Sequence, residues 1–365
     1  MKKILFITNI PAPYRIDFFN ELGKLCKLTV VFEARRAAGV RFNWNEEGAA
    51  HFTAVFLSDG DIQENRVDRR ILPYIRRGEY DRIVATSYGY YTETAALLKM
   101  RLTGVPYAIE IDGGVVRPGE NPVKRLLKRF LIRGAERLYS SGAASDRVFL
   151  HYGASGDRIF RYPFTSLMDA DLLSLPLSPE EKRAAKAALG ITGEKLVLSV
   201  GQFIHRKGYD LLLSAAGSLQ TGTELVIIGG TPTEEYRRIV AEQGLTNVRF
   251  LPFLEKEPLR RWLLAADVFV LPTREDMWGL VVNEAMACAL PVVTTDRCNA
   301  GVELVENGIN GYITPIEDGA AQVDRVNAIL RDDGLRTRMG EASLKKIRGY
   351  TIEQMAREHM RSFEG

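Results

Sequence analysis

The chain has 365 residues, of which 46% are hydrophobic and 26% are charged, with a formal net charge of +3. This length suffices for two globular domains, and no apolar run approaches the roughly 20 residues of a membrane-spanning helix. Three irregularly spaced cysteines fit reduced thiols in a cytoplasm and exclude a disulfide framework or a cysteine zinc site.

Short apolar or β-branched runs alternate with helical segments in two series, which predicts two doubly wound α/β domains with parallel sheets. The first series comprises Ile4–Thr8, Leu28–Phe32, Thr53–Leu57, Arg82–Thr86, Tyr107–Ile111 and Arg137–Ser141. The second comprises Leu196–Val200, Leu225–Gly229, Val248–Leu251, Val268–Leu271 and Pro291–Thr295. A proline-containing stretch, 162–190, separates them, and a capping box at Thr351 and Gln354 begins an amphipathic C-terminal helix.

Polar residues follow two strands of the first series. Prolines stiffen the turn after the first strand and are predicted to hold Tyr14 and Arg15 toward a ligand; the alternative is that Arg15 begins an exposed helix. Asp112 ends the strand Tyr107–Ile111 and precedes two glycines, so it suits a sugar hydroxyl or an acceptor proton, the alternative being an ordinary turn. Glu110 points the same way if the strand continues.

A helix over residues 122–133 combines an apolar stripe with basic residues. The stripe is Val123, Leu126, Leu127, Phe130 and Leu131, and the basic residues are Lys124, Arg125, Lys128 and Arg129. Residues 1–170 carry 26 Lys and Arg against 19 Asp and Glu, which favours an anionic partner for this half. The helix therefore either contacts anionic lipid headgroups or is a solvated helix with its apolar face in the core.

Two adjacent cations follow the first strand of the second series. The loop runs from Gly201 to Gly208 and contains Arg206 and Lys207. A guanidinium beside an ammonium group suits a diphosphate, whose negative charge grows as a glycosyl bond breaks. The alternative is an exposed basic loop. The Gly-Lys-Ser/Thr ending of a Walker loop is absent.

Residues 267–296 form a strand, a polar loop, a helix opening near Gly279 and a second strand. The loop contains Asp276, and Glu284 stands in the apolar helix, where burying a carboxylate is costly unless it is bonded. One interpretation places a donor sugar at Asp276, a ribose at Glu284 and a diphosphate at the helix start between them. The other is a turn aspartate and a solvated helix glutamate.

The segments GQFIHRKGYDLLLSAAGSL, LVIIGG and NVRFLPF, together with residues 267–296, resemble the second domain of family-4 retaining glycosyltransferases. The resemblance implies the GT-B architecture, in which two Rossmann-like domains face each other across a cleft. It implies an acceptor-binding domain over residues 1–165, to which a final helix over 350–365 crosses back. A nucleotide-sugar-binding domain then covers residues 166–349.

By this resemblance Arg206 and Lys207 match the family's diphosphate-binding pair, and Glu284 matches the ribose-binding second Glu of its Glu-seven-residues-Glu motif. Asp276 stands where the first Glu is usual, which keeps the charge but shortens the reach. Met-Trp-Gly, residues 277–279, replaces the usual Gly-Phe-Gly.

The resemblance also implies that Gly279 and Leu280 present backbone N–H groups to phosphate. In the first domain, Asp112 stands where many relatives have a histidine near the donor sugar.

The sequence thus predicts a retaining, metal-independent glycosyltransferase of the bacterial polysaccharide or lipopolysaccharide type. Its predicted catalytic residues are Asp112, Arg206, Lys207 and Asp276. The predicted donor-binding residues are Gly201, Arg206, Lys207, Gly279, Leu280 and Glu284, and the predicted acceptor-binding residues are Tyr14, Arg15 and Glu110.

The predicted donor is a UDP- or GDP-linked sugar, and the acceptor is a saccharide or a polyprenyl- or lipid-linked molecule. No cofactor, metal or nucleic acid partner is expected. The predicted location is cytoplasmic, with peripheral contact at the inner face of the cytoplasmic membrane through the helix over 122–133. A nucleotide-sugar epimerase of the same architecture and a noncatalytic sugar-nucleotide-binding subunit remain as alternatives.

Overall fold

A computed structural model describes residues 1–37, 48–62 and 66–364. The chain divides into two compact units. The first comprises Met1–Ser166 and Thr351–Gly365, and the second comprises Leu167–Tyr350. Each unit is built on one parallel sheet, so a stretch from the end of the chain completes the unit that contains its beginning.

The first unit has seven parallel strands in the order β3-β2-β1-β4-β5-β6-β7. They are β1 (Lys3–Thr8), β2 (Lys27–Phe32), β3 (Thr53–Phe56), β4 (Arg82–Ala85), β5 (Ala108–Ile111), β6 (Arg137–Ser140) and β7 (Ile159–Arg161). The helices are α1 (Pro13–Gly23), α2 (Tyr91–Thr103), α3 (Pro122–Gly134), α4 (Ala143–His151) and the C-terminal helix (Ile352–Glu364). The strand order reverses between β1 and β4, where open α/β sheets bind their ligands.

The second unit has six parallel strands in the order β10-β9-β8-β11-β12-β13. They are β8 (Lys195–Val200), β9 (Thr223–Ile228), β10 (Val248–Leu251), β11 (Val268–Leu271), β12 (Val292–Thr295) and β13 (Gly311–Thr314). The helices are α5 (Pro179–Ala188), α6 (Tyr209–Ala215), α7 (Glu234–Glu242), α8 (Lys256–Ala265), α9 (Leu280–Ala287), α10 (Asn299–Leu304), α11 (Gly319–Arg331) and α12 (Asp333–Ile347). Here the strand order reverses between β8 and β11.

The apolar runs of the sequence form strands because both faces of each sheet are covered. Five of the six residues of β1 are buried, as are all four of β11, which is typical of parallel sheets between helices. The prediction of two α/β domains with parallel sheets is confirmed. The strands β7 and β13 were not predicted, because each is short, only partly buried and carries a weak apolar pattern.

The C-terminal helix packs on the first unit through the face that its periodicity predicts. Thr351 caps it, with the Gln354 amide 3.3 Å from the threonine hydroxyl. Its buried side chains include Ile352, Met355, His359 and Phe363. A helix with this much apolar surface is stable only when docked, and α1 is its main neighbour.

Helix α3 keeps much of its apolar stripe outside the core. Val123 and Leu126 are 75% and 69% exposed, whereas Leu131 at the other end of the helix is fully buried. The alternative in which the whole apolar face lies in the core is therefore wrong. No helix in the described part of the chain is long and apolar enough to cross a membrane.

Two buried carboxyl groups lie near the carboxyl edge of the first sheet. Glu33 follows β2 and is 6% exposed, and Glu93 on α2 is fully buried. The Glu93 amide donates to the Glu33 carboxylate at 3.2 Å. Burial raises the pKa of Glu33 to about 7, with the Glu93 amide bond opposing the rise, and burial raises the pKa of Glu93 as well. Glu33 also lines a cavity of about 720 Å³ with Ser58, Thr92 and Arg69.

Glu33 should make the protein less stable as the pH rises. Its folded-state pKa of about 7 lies above the ordinary 4.5. The stability that Glu33 contributes is therefore complete below the unfolded-state pKa and is lost as the pH rises through 7. Glu33→Gln keeps the shape without the charge. The free energy of unfolding, measured with denaturant, should fall between about pH 5 and about pH 8 in the wild type. In this variant the fall should be smaller by about 2 kcal/mol. The exposed Glu79→Gln should behave as wild type, and equal losses in all three proteins would contradict the assignment.

Candidate active site

The loops after β8 and β11 meet at the reversal point of the second sheet. The two strands pair in parallel, with Val268 opposite Val197 and Phe269 opposite Leu198. Carboxyl ends of adjacent parallel strands lie at one edge of the sheet, so the loops 201–208 and 272–279 become neighbours. The structure thereby brings together Arg206, Lys207 and Asp276, which the sequence had predicted as one site.

Backbone contacts fix these loops to each other. Gly208 has a φ of +70°, and a β-carbon there would lie 2.1 Å from the Pro272 carbonyl oxygen, so only glycine fits. The Arg206 carbonyl accepts hydrogen bonds from the Thr273 hydroxyl at 3.0 Å and from the Arg274 amide at 2.8 Å. The cationic loop is therefore held in one position against the end of β11.

Gly201 begins the cationic loop directly after β8. A β-carbon at this position would lie 2.9 Å from the Tyr209 hydroxyl and 3.3 Å from the Lys207 side chain. The glycine thus leaves room for Lys207 to reach across the loop.

Lys207 and Asp276 form a buried ion pair. The Lys207 ammonium donates directly to the Asp276 carboxylate, and the two residues are 9% and 8% exposed. Arg206 Nη1 lies 3.8 Å from the same carboxylate and donates to the Glu275 carbonyl at 2.6 Å. Two cations facing one carboxylate leave a net positive charge. Arg206, whose side chain is 39% exposed, presents that charge outward.

Arg274 stabilises the site through bonds to the residues around it. No motif in the sequence identifies it. Its guanidinium donates to both Asp210 oxygens, at 2.8 Å and 2.6 Å, and to Glu317 at 2.6 Å. It also bonds the His205 carbonyl at 2.8 Å, which links the β11 loop to the cationic loop. These bonds raise the pKa of Arg274 well above its usual value, so it stays charged.

The segment before α9 is held by a large aromatic side chain. Trp278 is 4% exposed, and its indole N–H donates to Asn283 at 2.9 Å. Its carbonyl accepts from the Ala300 amide at 2.8 Å. Gly279 follows with a φ of +99°, and α9 begins at Leu280, so the first amides of this helix lack partners within the helix. The Met-Trp-Gly sequence is thus compatible with a helix start beside Asp276.

Glu284 is half-buried on α9. It lines a cavity of about 30 Å³ with Lys256 and Arg260 of α8 and with Asp171. These neighbours place Glu284 beside charged side chains of both signs. The assignment of Glu284 to the ribose stays a prediction.

In the first unit, the structure brings Tyr14, Arg15 and Asp112 together. The Asp112 carboxylate accepts from the Tyr14 hydroxyl at 2.8 Å and from Arg15 Nη2 at 2.6 Å. The Tyr162 hydroxyl adds a third bond at 3.0 Å. The Asp112 side chain remains 28% exposed, so it can still meet a ligand. Burial raises the pKa of Asp112, while Arg15 and the tyrosine bonds oppose the rise.

The prediction that Arg15 and Glu110 contact an acceptor needs correction. Arg15 is 3% exposed and Glu110 is fully buried, and the two form an ion pair. The second Glu110 oxygen lies 2.9 Å from His359 Nε2. Burial disfavours the Glu110 anion, but Arg15 and His359 hold its pKa low, at about 2. With both oxygens engaged inside the unit, Glu110 is a structural partner of Arg15.

The same contacts exclude the alternative of an exposed Arg15 at the start of α1. Two further members of this network, Tyr162 and His359, were not predicted as site residues. Neither lies near Asp112 in the sequence, and no motif contains them. Within the described residues, no cluster of three or more His, Cys, Asp or Glu side chains could hold a metal ion.

Comparison with known proteins finds similarity to glycosyltransferases. Residues 181–346, within the second unit, match the family model described as Glycosyl transferases group 1. The D-inositol 3-phosphate glycosyltransferase of Xylanimonas cellulosilytica is 31% identical over 220 residues, which are 58% of this chain and 52% of that protein. The chain thus spans about half the length of this relative.

Two solved structures share the fold. Anabaena Alr3699/HepE in complex with UDP has a TM-score of 0.77 at 16% identity, with 99% of each chain covered. WaaG, a glycosyltransferase involved in lipopolysaccharide biosynthesis, has a TM-score of 0.68 at 17% identity, covering 99% of this chain and 100% of its own. The predicted GT-B class, with two Rossmann-like domains, is confirmed.

Removing Lys207 should destabilise the second unit. Lys207→Ala leaves the buried Asp276 carboxylate without its partner, a change that typically lowers the free energy of unfolding by about 3–5 kcal/mol. The Arg206 charge beside the same carboxylate should reduce this loss. Lys207→Ala/Asp276→Ala should recover part of this loss in denaturant unfolding. If the double variant instead loses the sum of the two single losses, the two side chains are not coupled.

Proposed function

We propose that the protein transfers a sugar from a nucleoside diphosphate donor to an acceptor hydroxyl. The premise of this proposal is that the second unit of this chain belongs to the glycosyl transferases group 1 family. The observation that carries the proposal is the net positive charge of Arg206, Lys207 and Asp276 at the reversal point of the second sheet. A leaving diphosphate gains negative charge as the glycosyl bond breaks, and this edge of the sheet would stabilise it.

In this proposal Arg206 binds the diphosphate, because its guanidinium is the exposed cation of the group and can bond phosphate in a bidentate manner. The start of α9 at Gly279 and Leu280 adds backbone N–H groups. Lys207 acts differently, since its charge is matched by Asp276: it holds that carboxylate in place beside the donor sugar. Positive charge thus comes from the chain itself, and the proposal includes no metal.

The first unit would supply the acceptor side. Asp112 is the partly exposed carboxylate of the Arg15 network, and we assign it to a substrate hydroxyl. Retention of anomeric configuration belongs to the proposal through the resemblance to family-4 enzymes. UDP is the first nucleotide to test, because HepE is a structural neighbour that binds it, and GDP is the second.

The nature of α3 supports a lipid-linked or membrane-borne acceptor. Val123, Leu126 and Phe130 are 75%, 69% and 40% exposed. The basic residues Lys124, Arg125 and Arg129 on the same helix are also exposed. An apolar stripe beside cations is the composition of helices that lie at the surface of anionic membranes. We therefore propose that the protein binds such a surface through α3 and acts in cell-surface polysaccharide biosynthesis.

Arg206→Ala should weaken UDP binding without unfolding the protein. The variant removes a charge-assisted contact, so the dissociation constant measured by calorimetry should rise by about tenfold or more. Because the side chain is 39% exposed, the melting temperature should stay near wild type. Arg238→Ala on α7, which removes a 68% exposed arginine, is the matched control and should bind UDP as wild type.

A wild-type protein that binds neither UDP nor GDP would overturn this assignment. Binding without transfer to any saccharide or lipid-linked acceptor would favour a noncatalytic nucleotide-sugar-binding subunit. A new sugar nucleotide formed without acceptor would favour an epimerase.

Leu126→Glu should reduce binding to anionic vesicles. Replacing an apolar side chain that enters the interface with a carboxylate removes buried area and adds repulsion. Sedimentation with phosphatidylglycerol-containing vesicles should show wild-type binding that falls with added salt, and less binding for the variant. Leu175→Glu, at a 76% exposed leucine of the second unit, is the control. Equal binding of wild type to purely zwitterionic vesicles would contradict the electrostatic part of the proposal.

A further inference from the structure

A chain of buried contacts connects the C-terminal helix to Asp112. His359 is fully buried, with Nδ1 2.8 Å from the Met355 carbonyl oxygen and Nε2 2.9 Å from a Glu110 carboxylate oxygen. The other Glu110 oxygen pairs with Arg15 Nη1, and Arg15 Nη2 donates to Asp112 at 2.6 Å. Four side chains from three distant parts of the sequence thus form one continuous path.

Both ring nitrogens of His359 are engaged. Nδ1 faces the Met355 carbonyl oxygen, which can only accept, so this nitrogen donates. Nε2 faces a Glu110 carboxylate oxygen, and the other oxygen of the same carboxylate is paired with Arg15. Glu110 is thus held between the C-terminal helix and Arg15.

The buried part of the path is closely packed. The His359 ring is packed among the rings of Phe18, Tyr139 and Tyr162, each with its centroid 4.9 Å away. The Arg15 guanidinium is planar, so a fixed Glu110 sets the direction of the nitrogen that reaches Asp112. Displacing the imidazole would release Glu110, then Arg15, and then the Asp112 carboxylate.

We propose that His359 is a positioning residue for sugar transfer: through Glu110 and Arg15 it sets the orientation and the electrostatic surroundings of Asp112. This inference rests on the proposed function, in which Asp112 contacts a substrate hydroxyl. It gives the C-terminal helix a role in the reaction beyond completing the first unit.

Other ionisable groups surround the cluster. They are Tyr14 and Tyr162 beside Asp112, Tyr139 beside His359, and Glu93 of α2, on which the Arg15 charge acts. Burial raises the pKa of all three tyrosines, so they remain neutral hydrogen-bond partners. Glu93 is unchanged in the variants below and affects each of them alike.

The test compares His359→Gln, His359→Leu and Glu110→Gln by UDP release from UDP-glucose, with water as the acceptor, across the pH range. His359→Leu should lower kcat by about tenfold, the size of effect expected for a misplaced catalytic group, with an unchanged Kd for UDP. His359→Gln retains an N–H donor for Glu110 and should recover most of the rate.

The acidic limb of the pH profile should move in opposite directions. His359→Leu removes the contact that holds Glu110, which loosens Arg15 from Asp112. Because the Arg15 charge lowers the pKa of Asp112, this change moves the limb to higher pH. Glu110→Gln removes a negative charge beside Asp112 and moves the limb to lower pH. A purely structural role would not produce opposite shifts.

Phe363→Leu is the matched control, because this fully buried residue packs on the rings of Tyr139 and His359 and has no polar group that could bond Glu110. It should lower the melting temperature and leave the pH limb in place. The inference is overturned if His359→Leu and Glu110→Gln have the same pH profile as an active wild type. It is also overturned if Phe363→Leu lowers kcat as much as His359→Leu does at an equal loss of melting temperature. If His359→Leu fails to fold, Glu110→Gln decides, because an acidic limb that does not move in this variant overturns the inference. A wild type that binds UDP without releasing it from UDP-glucose overturns this inference alone. A wild type that binds neither UDP nor GDP overturns the proposed function, and this inference with it.

Discussion

The buried ion pair between Lys207 and Asp276 determines what the second unit can offer a ligand. Its two side chains come from loops 69 residues apart in the sequence, and both are almost fully buried. Burying either charge alone would be prohibitive, so the pair requires the loops after β8 and β11 to stay in contact. The contact leaves Arg206 as the outward cation, which makes this edge of the sheet suited to an anionic ligand.

The two units use the same topology with different electrostatics. In the second unit the reversal point carries a net positive charge, open to the outside through Arg206. In the first unit the buried Arg15 faces two carboxylates, Glu110 and Asp112, and of these three side chains only Asp112 is partly exposed. One surface suits a diphosphate, whereas the other offers a single carboxylate held by several donors, as a hydroxyl-bearing substrate needs.

The features of the fold and of the site that could be predicted from the sequence are those that local patterns determine. The strands were predictable because parallel sheets covered on both faces require continuous apolar runs, and the predicted Arg206, Lys207 and Asp276 converged because strand ends meet at one edge. Burial of Glu110 was not predictable, because it depends on a histidine 249 residues away on a helix whose docking face showed only apolar periodicity. The same holds for Arg274, whose partners lie on α6 and before α11. For α3, periodicity identified the apolar stripe but not the part of it that the core leaves uncovered.

The return of the C-terminal helix to the first unit has a consequence for synthesis. Residues 351–364 leave the ribosome only after the whole second unit, yet they supply His359 to the first core and a carbonyl at Phe363 that accepts from Lys2. The first unit, although translated first, lacks the last partner of Arg15 and Glu110 until the C-terminal helix has been made. Domains usually fold in the order in which they are made. Here the second unit can be complete before the first.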